Sequence, residues 1–246
     1  MTVAAHTLVT GATRGIGRAI VELLVAQGQP VVGLARRPDP TFPAPLVCAD
    51  LGDSAAAGRA LAELAQRWPI GQLVNNAGVN QLQPLGSITD AAFTQVFDLN
   101  CRAAVLCSQA LLPGIRAARD AQGRPAGRIV NISSRSLLGR LDGSVYAAAK
   151  AALVGFTRSW ALELAPEGIT VNCVAPGPVA TEMFDHNNPP GDPRRARMLA
   201  AVPMQRMGAP PEIAAAVAYF LSPGAGFTTG QTLFVCGGAS ISQIHL

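Results

Sequence analysis

The sequence predicts a doubly wound α/β fold, a seven-stranded parallel sheet covered by helices on both faces. Three observations carry that expectation. Short runs rich in valine, isoleucine and leucine alternate with helical segments along all 246 residues, the pattern of successive βα units. The runs are apolar on both alternating faces, as strands buried on two sides are. A glycine-rich turn also follows the first run directly and opens the first helix.

The elements follow in order. Strands are expected at 6–10, 30–34, 46–49, 72–75, 128–133, 170–175 and 232–235, with helices at 16–27, 54–67, 91–118, 144–165 and 211–221. The four prolines of the stretch Arg37–Pro45 predict a loop in place of a crossover helix. Residues 185–193, with Asn187-Asn188-Pro189-Pro190-Gly191, are expected to be irregular. They follow a strand whose carboxyl end lies where ligands bind in such sheets. The stretch therefore reads as part of a substrate loop at about 182–205, with a plain surface excursion as the alternative. No repeat or linker divides the chain, so residues 1–246 are expected to form a single domain of the Rossmann type.

Composition narrows the function. Hydrophobic residues make up 49% and charged residues 14%, enough apolar surface for one well-buried core. The formal charge of +4 comes almost wholly from arginine, because Lys150 is the only lysine. No basic block with interleaved aromatics occurs, which argues against nucleic acid. The five cysteines, Cys48, Cys101, Cys107, Cys173 and Cys236, lack C-x-x-C spacing and read as buried reduced thiols. His6, His186 and His245 lack ligand spacing, so no metal is expected. No apolar run reaches membrane-spanning length, and no leader pattern precedes the first strand. A cytoplasmic protein is the expectation.

The turn Gly11-Ala12-Thr13-Arg14-Gly15-Ile16-Gly17 predicts a dinucleotide site. Gly11 makes the tight turn, Gly15 admits a pyrophosphate and Gly17 allows close helix–strand packing, with a helix N-terminus facing the anion. Sites for NAD carry an acid at the end of the second strand. Here that end reads Ala35-Arg36-Arg37, and guanidinium groups suit a 2′-phosphate. With Arg14 approaching from the turn, the expected coenzyme is NADP(H). Asp50 and Leu51, after the third strand, are placed against the adenine, and Asp53 reads as a helix cap.

Tyr146 and Lys150 stand one helical turn apart, so they share a face. A phenol with a pKa of about 10 must come down by roughly three units to exchange protons near neutrality, about 4 kcal/mol. A nearby ammonium supplies energy of that order, opposed by desolvation. With Thr10-Gly11-x-x-x-Gly15-x-Gly17, Asn75-Asn76-Ala77-Gly78, Asn100, the serine pair, Tyr146-x-x-x-Lys150 and Pro176-Gly177 in this order, the chain resembles a classical short-chain dehydrogenase/reductase over essentially its whole length.

The resemblance implies roles. Tyr146 is the general acid for carbonyl reduction, and Lys150 lowers its pKa and holds the nicotinamide ribose. Asn100 holds a water of the proton relay, and Asn76, Ala77 and Gly78 pack beside the coenzyme. Pro176, Gly177, Val179 and Thr181 form the nicotinamide loop. For the serine that stabilises the substrate oxygen, spacing to Tyr146 points to Ser133. Strand register points to Ser134 with a shortened loop. Register is set by side-chain alternation while loops absorb deletions, so Ser134 is chosen. Ser136 is a further candidate for the pocket wall, and Leu137, Leu138 and Leu141 either form an apolar pocket or pack the loop.

The C-terminal half is similar to 3-oxoacyl-(acyl-carrier-protein) reductases. Glu167 stands where such enzymes carry an arginine for their acidic carrier. Arg194, Arg195 and Arg197 are read either as binders of an anionic substrate or as a solvated helix face. The reaction implied is NADPH-dependent reduction of a ketone to a secondary alcohol in a homotetramer, with a small carbonyl or alcohol substrate and no membrane partner. An oxidative alcohol or sugar dehydrogenase and a non-catalytic NADPH sensor are the alternatives. The intact Asn–Ser–Tyr–Lys set argues against the sensor.

Overall fold

The computed structural model describes residues 5–242; His245 lies outside them. The chain runs β1 (His6–Thr10), α1 (Gly15–Ala26), β2 (Val31–Ala35), β3 (Leu46–Cys48), α2 (Ser54–Arg67) and β4 (Ile70–Asn75). Then come α3 (Asp90–Phe97), α4 (Ala103–Ala117), β5 (Arg128–Ile132), α5 (Ser144–Leu164) and β6 (Thr170–Pro176). It ends with α6 (Glu182–Asn187), α7 (Pro193–Ala200), α8 (Pro210–Leu221) and β7 (Thr232–Val235). The seven strands form one parallel sheet in the order β3-β2-β1-β4-β5-β6-β7. As the composition of the runs requires, β2, β5 and β6 are buried along their whole length.

Two apolar cores lie on opposite faces of this sheet. One packs α2, α4 and α5 through Leu61, Leu64, Leu111, Ile115 and Leu164. The other packs α1 and α8 through Ile20, Leu24, Ile213 and Val217. The strand order reverses between β1 and β4, which opens a crevice at their carboxyl ends.

Two regions differ from expectation. The helix predicted over 91–118 is interrupted by a π-helical turn, Asp98–Arg102. Its cause is local. The Asn100 Nδ2 donates to the Val96 carbonyl at 2.8 Å, the acceptor that an α-helix reserves for the backbone N–H of residue 100. Residues 185–193 are also partly regular, because α6 continues through Asn187. Thr181 caps α6 by accepting the Phe184 N–H at 3.2 Å, and Asp192 caps α7 by accepting the Arg194 N–H at 2.7 Å. The stretch 37–45 is a loop, as its prolines require.

Polar side chains join the elements at the crevice. Thr10 Oγ1 accepts the N–H of Asn76 at 3.0 Å and of Ala77 at 2.9 Å. The Asn76 amide returns a bond to the Thr10 carbonyl at 2.9 Å. Behind them Asn75 donates to Asn131 (2.9 Å), which donates to Thr157 on α5 (2.9 Å). Thr10→Val keeps the shape but leaves the Ala77 N–H without its acceptor, at about 1–3 kcal/mol, while the Asn76 N–H keeps the Val74 carbonyl at 3.1 Å. Urea unfolding is expected to show a loss of about 1–3 kcal/mol; a loss below about 0.5 kcal/mol would mean that water replaces the hydroxyl.

Candidate active site

The crevice at the sheet's reversal is a cleft of about 550 Å³. Every residue singled out from the sequence as catalytic or coenzyme-binding lines it. Gly11, Thr13, Arg14, Gly15, Ile16 and Gly17 form one wall, where β1 turns into α1. Gly11 has φ +62° and Gly15 has φ +53°, the left-handed region where glycine is favoured. A Cβ on Gly17 would collide with the Gly11 carbonyl and lie 2.6 Å from Asn76 Nδ2. The first turn of α1 has no side-chain cap, so its N–H groups remain available to an anion.

Arg36, Arg37, Asp50 and Leu51 line the end beside β2 and β3. Arg36 and Arg37 are exposed and, among the described residues, make no side-chain ion pair or hydrogen bond. Asp39, which sequence reading passed over, also reaches this end. Thr41, through its hydroxyl and N–H, and then Arg18 hold its carboxyl below the usual carboxylate range. Arg14 faces Glu182 of α6 at 3.5 Å across exposed surface. Asp50 accepts the Gly52 N–H at 2.8 Å, and Asp53 caps α2 as expected.

At the other end, Lys150 and Asn100 are buried behind Gly78. A Cβ at Gly78 would lie 2.5 Å from Asn100 Oδ1 and 3.3 Å from Lys150 Nζ. Lys150 donates to the Ile132 carbonyl at 2.8 Å. Burial lowers its pKa to about 8, with the Cys173 and Cys101 thiols opposing. Asn100 spends its amide on the carbonyls of Val79 and Val96, both at 2.8 Å, and its Oδ1 has no protein partner.

Burial raises the Tyr146 phenol above the ordinary tyrosine range, while a hydrogen bond from Ser134 and the charge of Arg140 act to lower it. The Lys150 ammonium lies 5.7 Å from the phenol ring centre. The serine pair divides its work. Ser133 donates to the Lys150 carbonyl at 2.7 Å. Ser134 accepts the Ser136 N–H at 3.1 Å, which leaves its own proton to point at the phenol. Ser136 is buried and does not line the cleft, nor do Leu137, Leu138 and Leu141, of which the last two are exposed.

Pro176, Gly177, Val179 and Thr181 close the wall beneath α6. Gly208 bonds the Pro178 carbonyl at 2.9 Å and the Ala180 N–H at 3.0 Å, which turns the Val179 N–H to the other side. Arg194 pairs with Asp142, and Arg195 with Asp185 and the Asn188 carbonyl. None of Arg194, Arg195 and Arg197 lines the cleft. Sequence reading missed Gln95 and Arg140 as lining residues, whereas Met183, Phe184 and Asn188 fall within the expected substrate loop. Only the folded loop 135–143 brings Arg140 to Tyr146, and no spacing rule points there.

Residues 11–240 match the family model described as enoyl-(acyl carrier protein) reductase. The chain is 39% identical to the 3-oxoacyl-(acyl-carrier-protein) reductase FabG of Vibrio harveyi, over 94% of this chain and 95% of that one. It is 40% identical to the L-xylulose reductase of Homo sapiens, over 95% of both. A solved structure of a blue fluorescent protein from a metagenomic library, in complex with NADPH, superposes with a TM-score of 0.82. It has 32% identity and covers 96% of this chain and 97% of that one.

The depressed lysine pKa has a consequence for stability. Between pH 8 and the ordinary lysine value of 10.5, the unfolded chain binds more protons at this site than the folded chain. Stability therefore rises with pH in that window. Wild type is expected to gain up to about 3 kcal/mol relative to Lys150→Met between pH 7 and 10.5, read by denaturant unfolding without coenzyme. Parallel pH profiles would place the lysine at its ordinary pKa.

Proposed function

The chain belongs to the short-chain dehydrogenase/reductase family, and on that premise we propose that it is an NADPH-dependent reductase of a small ketone. The observation that carries the reading is one cleft, at the reversal of strand order, in which Tyr146, Ser134, Lys150 and Asn100 converge. The chain's residues fit a nicotinamide dinucleotide on several counts. The glycines leave room for close backbone approach, the α1 N-terminus is uncapped, and the Asn100 Oδ1 is buried without a partner.

The coenzyme, when bound, supplies hydride to the carbonyl carbon. Tyr146 donates its phenolic proton to the carbonyl oxygen as negative charge develops there. Burial keeps the phenol protonated at neutral pH, so the acid is loaded before reaction. The Ser134 proton stabilises the same oxygen. Lys150 keeps a positive charge behind the phenol and reaches the ribose hydroxyls across Gly78. Asn100 Oδ1 accepts from a water that returns the proton.

Selection for the 2′-phosphate rests on Arg36 and Arg37, which are unpaired among the described residues, while the acid at that end is occupied by Arg18 and Thr41. Segment 182–205, containing α6 and α7, closes over the substrate. Glu167 is bound to Arg116 through two bonds of 2.7–2.8 Å, which removes a cation from a carrier-docking face and favours a free small substrate. In reverse the same residues oxidise a secondary alcohol, and the likeness to L-xylulose reductase keeps polyols within the reading. The reading includes a single domain and a cytoplasmic homotetramer, for whose subunit face the long α5 with exposed Leu162 is suited.

Tyr146→Phe is expected to lower kcat by about 10²–10⁴ while leaving NADPH affinity within about threefold; retained turnover removes the phenol from the mechanism. Fluorescence titration is expected to show NADPH bound roughly tenfold or more tighter than NADH, with the preference lost in the Arg36→Ala, Arg37→Ala double variant. Equal affinity of the wild type for the two coenzymes would refute the role of these arginines.

A further inference from the structure

The reaction end of the cleft holds a cation that the proposed chemistry does not use. Arg140 lines the cleft with Tyr146 and Ser134. Its side chain lies over the N-terminus of α5, where a Cβ on Gly143 would stand 3.0 Å from Arg140 Cδ and 3.2 Å from Cγ. A side chain at 143 would push this stem aside by a few tenths of an ångström.

Among the described residues its guanidinium has no acid and no carbonyl partner, whereas its neighbours are all committed. Arg14 faces Glu182, Arg194 pairs with Asp142, and Arg195 pairs with Asp185. Arg135 donates to the Ala239 carbonyl at 3.1 Å. The acids of the cleft are committed too. Glu182 faces Arg14, Asp39 is held by Arg18, and Asp50 accepts a backbone N–H. An unpaired, partly desolvated guanidinium is unfavourable unless a ligand anion meets it.

We infer that Arg140 binds a carboxylate of the substrate, so that the ketones reduced here are free oxo acids. This rests on the ketone-reductase reading above and adds the substrate's class to it. A guanidinium offers two parallel N–H groups to the two oxygens of a carboxylate, and an ester or thioester lacks that charge. Burial lowers the Arg140 pKa first, the charge of Tyr146 raises it and that of Arg135 lowers it. Two guanidiniums thus create a positive field that one carboxylate relieves. Such a contact made equally in ground and transition state acts on KM more than on kcat.

The test compares 3-, 4- and 5-oxo carboxylates with their methyl esters, using NADPH consumption as the readout. In wild type at least one acid is expected to exceed its ester in kcat/KM by on the order of 100-fold, mainly through KM. Arg140→Met is expected to erase that preference and Arg140→Lys to keep part of it. Gly143→Ala, which displaces the arginine without removing its charge, is expected to reduce it.

No acid preferred over its ester in wild type overturns the proposal, as does an Arg140→Met loss shared equally by acid and ester. Calorimetry with 3-hydroxybutyrate, 4-hydroxyvalerate and their methyl esters in the presence of NADP+ separates this from the reaction itself. Acid-selective binding lost in Arg140→Met sustains the anion site even where no ketone is turned over. Equal binding of acids and esters refutes it even where ketones are reduced.

Discussion

The hydroxyl of Thr10 is the point on which the arrangement turns. It sits at the end of β1 and accepts two N–H groups from the end of β4, across the line where the order of strands reverses. Parallel strands there lose their ladder partners and would otherwise splay. Holding them together sets where the glycine turn begins on one side and where Asn76, Ala77 and Gly78 run on the other. Gly78 then lies against Asn100 and Lys150. One small polar side chain thus fixes the distance between the wall that meets phosphates and the wall that meets the reacting atoms.

The electrostatics of the cleft are lopsided. Its acids are neutralised from within the protein, by Arg14, Arg18, Thr41 or backbone N–H groups. Three of its arginines, Arg36, Arg37 and Arg140, have no such partner among the described residues. Anionic groups at both ends of the cleft match this distribution, and at Arg140 water is a poorer match because a partly buried guanidinium is incompletely hydrated. The phenol between the two ends is raised by burial and drawn down by Ser134 and Arg140. It is therefore tuned by burial and by the loop that carries Ser134 and Arg140.

Much of this was legible in the chain. Apolar runs give strands because a doubly covered parallel sheet leaves them no wet face, and β1 and β7 matched to the residue. The glycine turn was readable because positive φ and close approach leave glycine nearly alone as a choice. The π-helical turn was not readable. It depends on one asparagine amide taking a backbone acceptor, a contact that periodicity does not encode. The irregular backbone expected over 185–193 is confined to 188–192, since Thr181 and Asp192 start helices on either side of Pro189 and Pro190. Between the serines, the Ser133 proton is spent on the Lys150 carbonyl, a contact that strand register does not reveal. Arg140 was invisible because a loop fold, not a spacing, carries it to the tyrosine.

The solitary lysine has a practical corollary. Lys150 is the only lysine in these 246 residues, and it is buried. Apart from any terminal amine, the surface offers amine-directed reagents nothing to attack, since arginine carries the remaining cationic charge. Acylating or fluorescent amine labels thus report on Lys150 once any terminal amine is blocked. Incorporation marks the fraction of molecules whose interior is momentarily unsealed, and a bound ligand would register as silence.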